Sequence, residues 1–333
     1  MMSVSPDGLG PEATPAGGVD DGSDHALLPS LLTGTLKCPI CLGALVEETS
    51  RLRCPEGHTY AILGAIPRMM VPRGDYTQDA QVRETSAAFG KQWTEFAEEA
   101  AVTRDDLLLH IPSGLTLAVF SGLVLDVGCG MGRYTALVAE LANGVIGLDA
   151  SASVDAGHKM WPELSFVQAE IAAPPFAPQT FDTVYSFGVL HHLPDPLEGF
   201  RTCFSLVRPG GQLVVWVYSA HGGTFRRGRR IARRLITRLP LAKRPIALSA
   251  SIAIFSIVAF RSRFLRGYPR KLGFFRNKRL AQVYVDCYDA ISAPTEVYLS
   301  EADCRVWLGS IAARRSGHER RPDGSGWIIW ATP

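Results

Sequence analysis

Between residues 123 and 218, short apolar runs alternate with stretches whose apolar residues recur at helical spacing. Val124-Leu125-Asp126-Val127 reads as a buried strand, and Tyr134 to Leu141 as the helix that follows. Val145-Ile146-Gly147-Leu148 is a second strand, Phe166 to Ile171 a third, Phe181 to Ser186 a fourth and Leu213 to Val217 a fifth. Strands interleaved with helices predict an α/β fold with a doubly wound, mostly parallel sheet.

The pattern changes on both flanks. Residues 1–30 are rich in Gly, Pro, Ser and Asp and are expected to be a disordered tail. Residues 31–75 form a cysteine-bearing module. Residues 76–118 are a helical lead-in, with Phe89, Trp93 and Phe96 at i, i+4 and i+7, broken by Pro112 and Gly114. The main domain then spans 119–333 and carries a helical insertion at 220–280 that does not fit the strand–helix alternation. From Val283 onward strand-like pieces return around a short helix near Glu301 to Leu308.

Composition adds less than distribution does. The chain has 333 residues, 47% hydrophobic and 20% charged, which suits a globular protein with a sizeable core. Its net charge is only +2, but no acidic residue lies between Glu198 and Asp286, and 17 of the 34 Lys and Arg fall in that interval from 226 to 279. Around Phe225, Ile231, Leu235 and Leu239 the arginines make a basic amphipathic stretch. Such a stretch meets a membrane surface, an anionic substrate, a nucleic acid, or only solvent over an active site. The uncharged run Ile246 to Phe260 is too short to span a bilayer, and a buried lid helix is expected there. Seven cysteines, an odd number, do not suggest a disulfide framework, and no basic-then-apolar leader opens the sequence. A cytoplasmic protein, peripheral to the membrane if the basic stretch meets lipid, is the expectation.

Three glycines, Gly128, Gly130 and Gly132, separate the first strand from its helix, so backbone there can approach a ligand closely. Asp149 ends the second strand nineteen residues after Gly130, an offset at which an acid accepts both hydroxyls of a ribose. A nucleoside ligand follows. The turn reads G-x-G-x-G, whereas a dinucleotide fingerprint reads G-x-G-x-x-G, and Asp126 beside it would repel a pyrophosphate and attract a cation.

These residues, with Phe166-Val167-Gln168-Ala169-Glu170-Ile171, Phe181 to Ser186, Gly188-Val189-Leu190-His191-His192-Leu193 and Leu206 to Leu213, resemble the class I S-adenosylmethionine-dependent methyltransferases over roughly residues 119–220. The resemblance implies a Rossmann-like fold and S-adenosyl-L-methionine as cofactor. It implies cofactor contacts from Asp126, Gly128, Cys129, Gly130, Gly132, Asp149, Ala150, Glu170, Ile171, Ser186, Phe187 and Gly188. Glu170 stands where the family more often has Asp, which keeps the carboxylate and lengthens its reach. Gln92 and Trp93 are where related enzymes close over the methionine end. His191 and His192, after the fourth strand, either take a proton from the acceptor or cap the turn. Tyr218, at the end of the fifth, lines the acceptor pocket or its rim. The Asn/Asp-Pro-Pro-Tyr/Phe motif of amino-group methyltransferases is missing, which favours oxygen or carbon acceptors. The expected acceptor is an anionic or amphiphilic small molecule or lipid-like compound. RNA, ribosomal or transfer, is the alternative. A non-catalytic scaffold is a further one, against which the intact Asp126, glycines and Asp149 argue.

Cys38, Cys41, Cys54 and His58 have the spacing C-x2-C-x12-C-x3-H. Two close pairs of soft ligands on tight knuckles can close a tetrahedron around a structural zinc. From Cys38 to Met70 the module resembles the zinc-ribbon family that activates tRNA and protein methyltransferases, and its ligand spacing resembles the ribbon of ribosomal-RNA guanine-N1 methyltransferases.

Overall fold

The computed structural model describes residues 28–71, 80, 82–87, 90, 102–220, 243–264, 279–281, 283–284, 287–288, 296–321 and 324–333. Helix α1 (Ser30–Thr35) leads into a four-stranded antiparallel unit of β1 (Val46–Glu48), β2 (Arg51–Arg53), β3 (Thr59–Leu63) and β4 (Ile66–Pro67). A short helix α2 (Arg104–Leu108), closed by a Thr103–Asp106 capping box, precedes the main sheet.

That sheet has seven strands: β5 (Leu123–Val127), β6 (Gly144–Asp149), β7 (Ser165–Gln168), β8 (Phe181–Phe187), β9 (Val207–Tyr218), β10 (Arg315–Arg320) and β11 (Gly326–Thr332). Their order is β10-β11-β9-β8-β5-β6-β7. Strands β5 to β9 are parallel, while β11 runs antiparallel to β9 and to β10. The chain is a Rossmann-like, doubly wound α/β protein. The order reverses at β5, so the switch point lies between β5 and β8, where such sheets bind ligands at the carboxyl edge.

Side chains alternate across the strands and fill two cores. On one face Leu125, Val127, Leu148, Val184 and Val215 pack with Phe200 and Cys203 of α5 (Pro196–Ser205) and Trp307 of α7 (Glu301–Gly309). On the other, Val124, Val145, Phe166, Tyr185 and Val214 meet Val138 of α3 (Arg133–Ala139) and Val154 of α4 (Ser153–Met160). Gly157 lets α4 seat on the turn after β5: a Cβ there would come within 2.5 Å of the Met131 carbonyl oxygen.

The small unit is not an appendage. Leu52, Tyr60, Ile62 and Met69 belong to the same core as Val167 and Phe176. The Met69 N–H donates to Gln168 O at 2.7 Å, extending the outer edge at β7. The Arg68 guanidinium pairs with Asp155 and donates to Gln168 Oε1, and the Gln168 amide in turn donates to Ala150 O.

Two expectations are corrected. The third strand ends at Gln168, so Glu170 and Ile171 lie in the turn beyond it; the Ala169 N–H to Asp149 O bond at 3.0 Å is the last rung of the parallel ladder. Helix α6 (Lys243–Phe264) is not a buried lid. Its described side chains pack through Ala247 and Ile254 on Val283, Cys287 and neighbouring tyrosines, while Ile246, Leu248, Ile252 and Ile257 are exposed. Among its described side chains, only a narrow seam through Ala247, Ser251 and Ile254 is covered. Residues 221–242 and 265–278 of the insertion, the arginines at 226–238 included, lie outside the described residues, as do Phe89, Gln92, Trp93 and Phe96. Among the described residues no helix is long and apolar enough to cross a membrane.

Candidate functional site

The carboxyl edge of β5 is built by three residues in the left-handed region, Gly128 (φ 77°), Gly130 (φ 59°) and Gly132 (φ 87°). A Cβ on Gly128 would come within 2.4 Å of Val189, and one on Gly132 within 2.7 Å of Phe166. The turn is pinned to β6: the Gly128 and Cys129 N–H groups both donate to Leu148 O. Asp149 completes the clamp. Its Oδ2 accepts the Gly130 N–H at 2.8 Å and its Oδ1 the Ser151 N–H at 2.7 Å. Burial raises its pKa, against the pull of those bonds. Ala150 stands beside it, its carbonyl held by Gln168.

Asp126 sits beneath the turn, buried, and accepts from Thr135 Oγ1 at 2.7 Å. Burial pushes it up to about 7, opposed by Thr135 and Tyr185 and reinforced by the charge of Asp149. The Cys129 thiol is pushed well above its usual range by burial and by the same two acids, so it is no nucleophile. Ser186 is buried and donates to Val127 O at 2.9 Å, tying β8 to β5. Gly188 is also left-handed (φ 80°) and lies against Trp216. Glu170 and Ile171 are buried on the β7 side.

Past β8 the three residues predicted to meet the acceptor come together. The His191 ring lies 4.2 Å from that of His192 and 4.0 Å from that of Tyr218, measured between centroids. The segment after residue 295 walls them in, with Val297 N–H on His191 O, Leu299 N–H on Tyr218 O, and Tyr298 stacked on Tyr218. A second group of rings, His110, Tyr134, Phe187 and Trp216, adjoins the first through Trp216, and Arg321 lies over the Trp216 face. Sequence reasoning missed His110, Trp216, Tyr298 and Arg321. Their contacts span up to 211 residues and leave no local periodic signal.

This edge can be set beside known proteins. Residues 125–215 match a methyltransferase domain. Over 96 residues the chain is 38% identical to a ubiquinone biosynthesis O-methyltransferase of Pseudomonas fluorescens, covering 27% of this chain and 41% of the relative. Over 93 residues it is 36% identical to a protein of Mycolicibacterium smegmatis named as a probable S-adenosylmethionine-dependent methyltransferase, covering 28% and 36%. The chain thus spans about two fifths of the length of these relatives. Among solved structures, 1,6-didemethyltoxoflavin-N1-methyltransferase of Burkholderia thailandensis aligns at 16% identity and TM-score 0.44 over 85% of this chain and all of that one. The glycine turn, Asp149 and the His191–His192 pair all fall inside the matched methyltransferase domain; Tyr218 and Arg321 fall outside it.

The second candidate centre is in the small unit that packs on the β7 edge of the main sheet. The Sγ atoms of Cys38, Cys41 and Cys54 and a ring nitrogen of His58 lie within 4.8 Å of one another. His58 Nδ1 is 3.5 Å from Cys38 Sγ and 3.3 Å from Cys54 Sγ, and Cys41 Sγ is 3.7 Å from Cys54 Sγ. A tetrahedral metal with sulfur bonds of about 2.3 Å would set sulfurs about 3.8 Å apart, and the one sulfur–sulfur separation above, 3.7 Å between Cys41 and Cys54, is of that size. Burial works to raise the Cys38 thiol, but the Tyr60 hydroxyl and the backbone of the first knuckle outweigh it and bring it down to about 6. Thiolate is the form that binds metal.

Proposed function

We propose that the chain is an S-adenosylmethionine-dependent methyltransferase acting on a small-molecule or lipid-like acceptor, at oxygen or carbon. The observation that carries this reading is Asp149, an acid that ends the second parallel strand and at once braces the glycine turn and the loop after it. Such an acid takes a ribose; the turn offers no third spacing for a pyrophosphate.

The cofactor, when bound, supplies an electrophilic methyl group on a sulfonium. The chain supplies alignment and dryness. The left-handed glycines keep side chains off the path of the ligand, Asp149 and Ala150 serve the ribose, and Glu170 and Ile171 the adenine side. His191, His192 and Tyr218 form the acceptor wall, and a histidine of this pair takes the proton that an acceptor hydroxyl loses near neutral pH.

Cys38, Cys41, Cys54 and His58 hold a structural zinc in this reading. Four protein ligands leave no open position for catalysis, and the metal contributes folding energy to a unit too small to supply its own core. The exposed Ile246, Leu248, Ile252 and Ile257 of α6, next to the basic stretch within 225–279, support an amphiphilic acceptor or a membrane surface as partner.

The test uses the purified chain, methyl-labelled cofactor and a fractionated cell extract. Label in low-mass or solvent-extractable material is expected. Label confined to nuclease-sensitive material would replace this acceptor class with RNA.

A further inference from the structure

The buried arginine beside the acceptor wall is unexplained by methyl transfer itself. Arg321 precedes β11 and is buried at the carboxyl end of β9, its guanidinium 5.0 Å from the centroid of the Trp216 ring. Its Nη1 lies 3.1 Å from His110 Nε2. His110 is itself buried, and its Nδ1 is 2.8 Å from Asp106 O. A carbonyl only accepts, so Nδ1 carries the hydrogen and Nε2 is the acceptor that aims the guanidinium. His110 then stacks on Phe187 at 4.6 Å and 20°, and meets Tyr134 edge-on at 5.3 Å. Phe187 ends β8 and Tyr134 follows the glycine turn, so the cation is one ring away from the cofactor edge.

The surroundings suit a flat ligand. Tyr134, Phe187, Trp216, Tyr218 and Tyr298 are all half-buried at the edge of the sheet. The local field is positive: burial, then Arg321 and Arg133, hold the pKa of His110 well below its usual value, and only the bond to Asp106 O works against them. A guanidinium beside half-buried rings is matched in charge by a carboxylate and in shape by a planar ring.

We propose that Arg321, seated on Trp216 and aimed by His110, recognises a carboxylate carried by a planar, aromatic acceptor. This rests on the methyltransferase reading and deepens it, since it names the acceptor's chemical class. The arginine sets specificity by charge; His110 is a positioning residue that acts through it.

The test titrates the full chain, with and without S-adenosylhomocysteine, using benzoate and its uncharged isostere benzamide. Calorimetry and tryptophan quenching are the readouts. Benzoate is expected to bind at least tenfold more tightly than benzamide. Arg321→Gln removes that preference, Arg321→Lys restores part of it, and both leave the S-adenosylhomocysteine dissociation constant within about threefold. Trp216→Phe keeps a ring under the guanidinium and removes the benzoate-induced quench, which decides the matter if the arginine variants do not fold. Equal binding of benzoate and benzamide by the wild type overturns the proposal. So does a preference that survives Arg321→Gln. Loss of S-adenosylhomocysteine binding in Arg321→Gln with the benzoate preference intact also overturns it, because the guanidinium then holds the cofactor's own carboxylate. Failure of the wild type to bind S-adenosylhomocysteine would sink the methyltransferase reading, while the benzoate comparison would still decide this one.

Discussion

Asp149→Ala is the sharpest perturbation of the cofactor edge. The carboxylate makes two backbone hydrogen bonds, at 2.8 Å to Gly130 and 2.7 Å to Ser151, and its remaining lone pairs face the place proposed for a ribose. Hydrogen bonds to a charged acceptor contribute about 1.5–3 kcal/mol each, and removing the acceptor leaves two N–H groups to be satisfied by water. Allowing for that water, the loss of affinity for S-adenosylmethionine is roughly 2–4 kcal/mol, which is about 30-fold to 900-fold in dissociation constant. Asp149→Asn retains one acceptor oxygen and falls between the two. Isothermal calorimetry measures the constants, and thermal melts of the free proteins separate lost binding from lost folding. An alanine variant that melts normally and binds within threefold of the wild type would refute the assignment.

Other consequences are simpler to state. The purified protein is expected to carry about one zinc per chain; Cys41→Ser should lose it and melt earlier, and metal analysis finding none in the wild type would remove the site. Gly157→Ala drives a Cβ toward the Met131 carbonyl and should cost roughly 1–3 kcal/mol, read as a lower melting temperature; an unchanged melt would mean that α4 is not seated on the turn. Asp126, pushed up to about 7, binds a proton in the folded state that the unfolded chain gives up near 3.8, so its contribution to stability is present at low pH and is lost as pH rises through about 7. Asp126→Asn should therefore flatten the decline in stability between pH 4 and 7, by up to about 4 kcal/mol, and a denaturant series at several pH values in which both proteins decline alike would contradict this.

The geometry of the glycine turn was legible because its determinants are local. A strand needs apolar residues in a short run, the turn needs glycine at left-handed φ, and the acid must end the next strand, so Gly128, Gly130, Gly132 and Asp149 stand at readable offsets. The knuckles of Cys38, Cys41, Cys54 and His58 are local in the same way. The end of β7 was read three residues too long, because Ala169 and Ile171 prolong the apolar run although the last rung of the ladder is the Ala169 N–H to Asp149 O bond. The role of α6 was misread because the uncharged run Ile246 to Phe260 says nothing about how many sides of the helix find a partner. The His110–Arg321 contact joins a lead-in loop to the residue that follows β10, 211 positions away, and is set by the strand order. No spacing rule could place those two side chains over Trp216. The sharing of one core by the cysteine unit and the β7 edge has the same origin, since Met69 and Gln168 meet only once the sheet is assembled.

The central claim is that the glycine turn and Asp149 hold the nucleoside of a sulfonium cofactor and not a pyrophosphate. Calorimetry of the wild-type chain against S-adenosylmethionine, S-adenosylhomocysteine, NAD and ATP tests it directly. The account predicts one-to-one binding of the first two, with the phosphate-bearing ligands at least a hundredfold weaker. Binding of NAD or ATP as tight as that of S-adenosylmethionine, or no binding of either sulfur nucleoside by a folded protein, would contradict it.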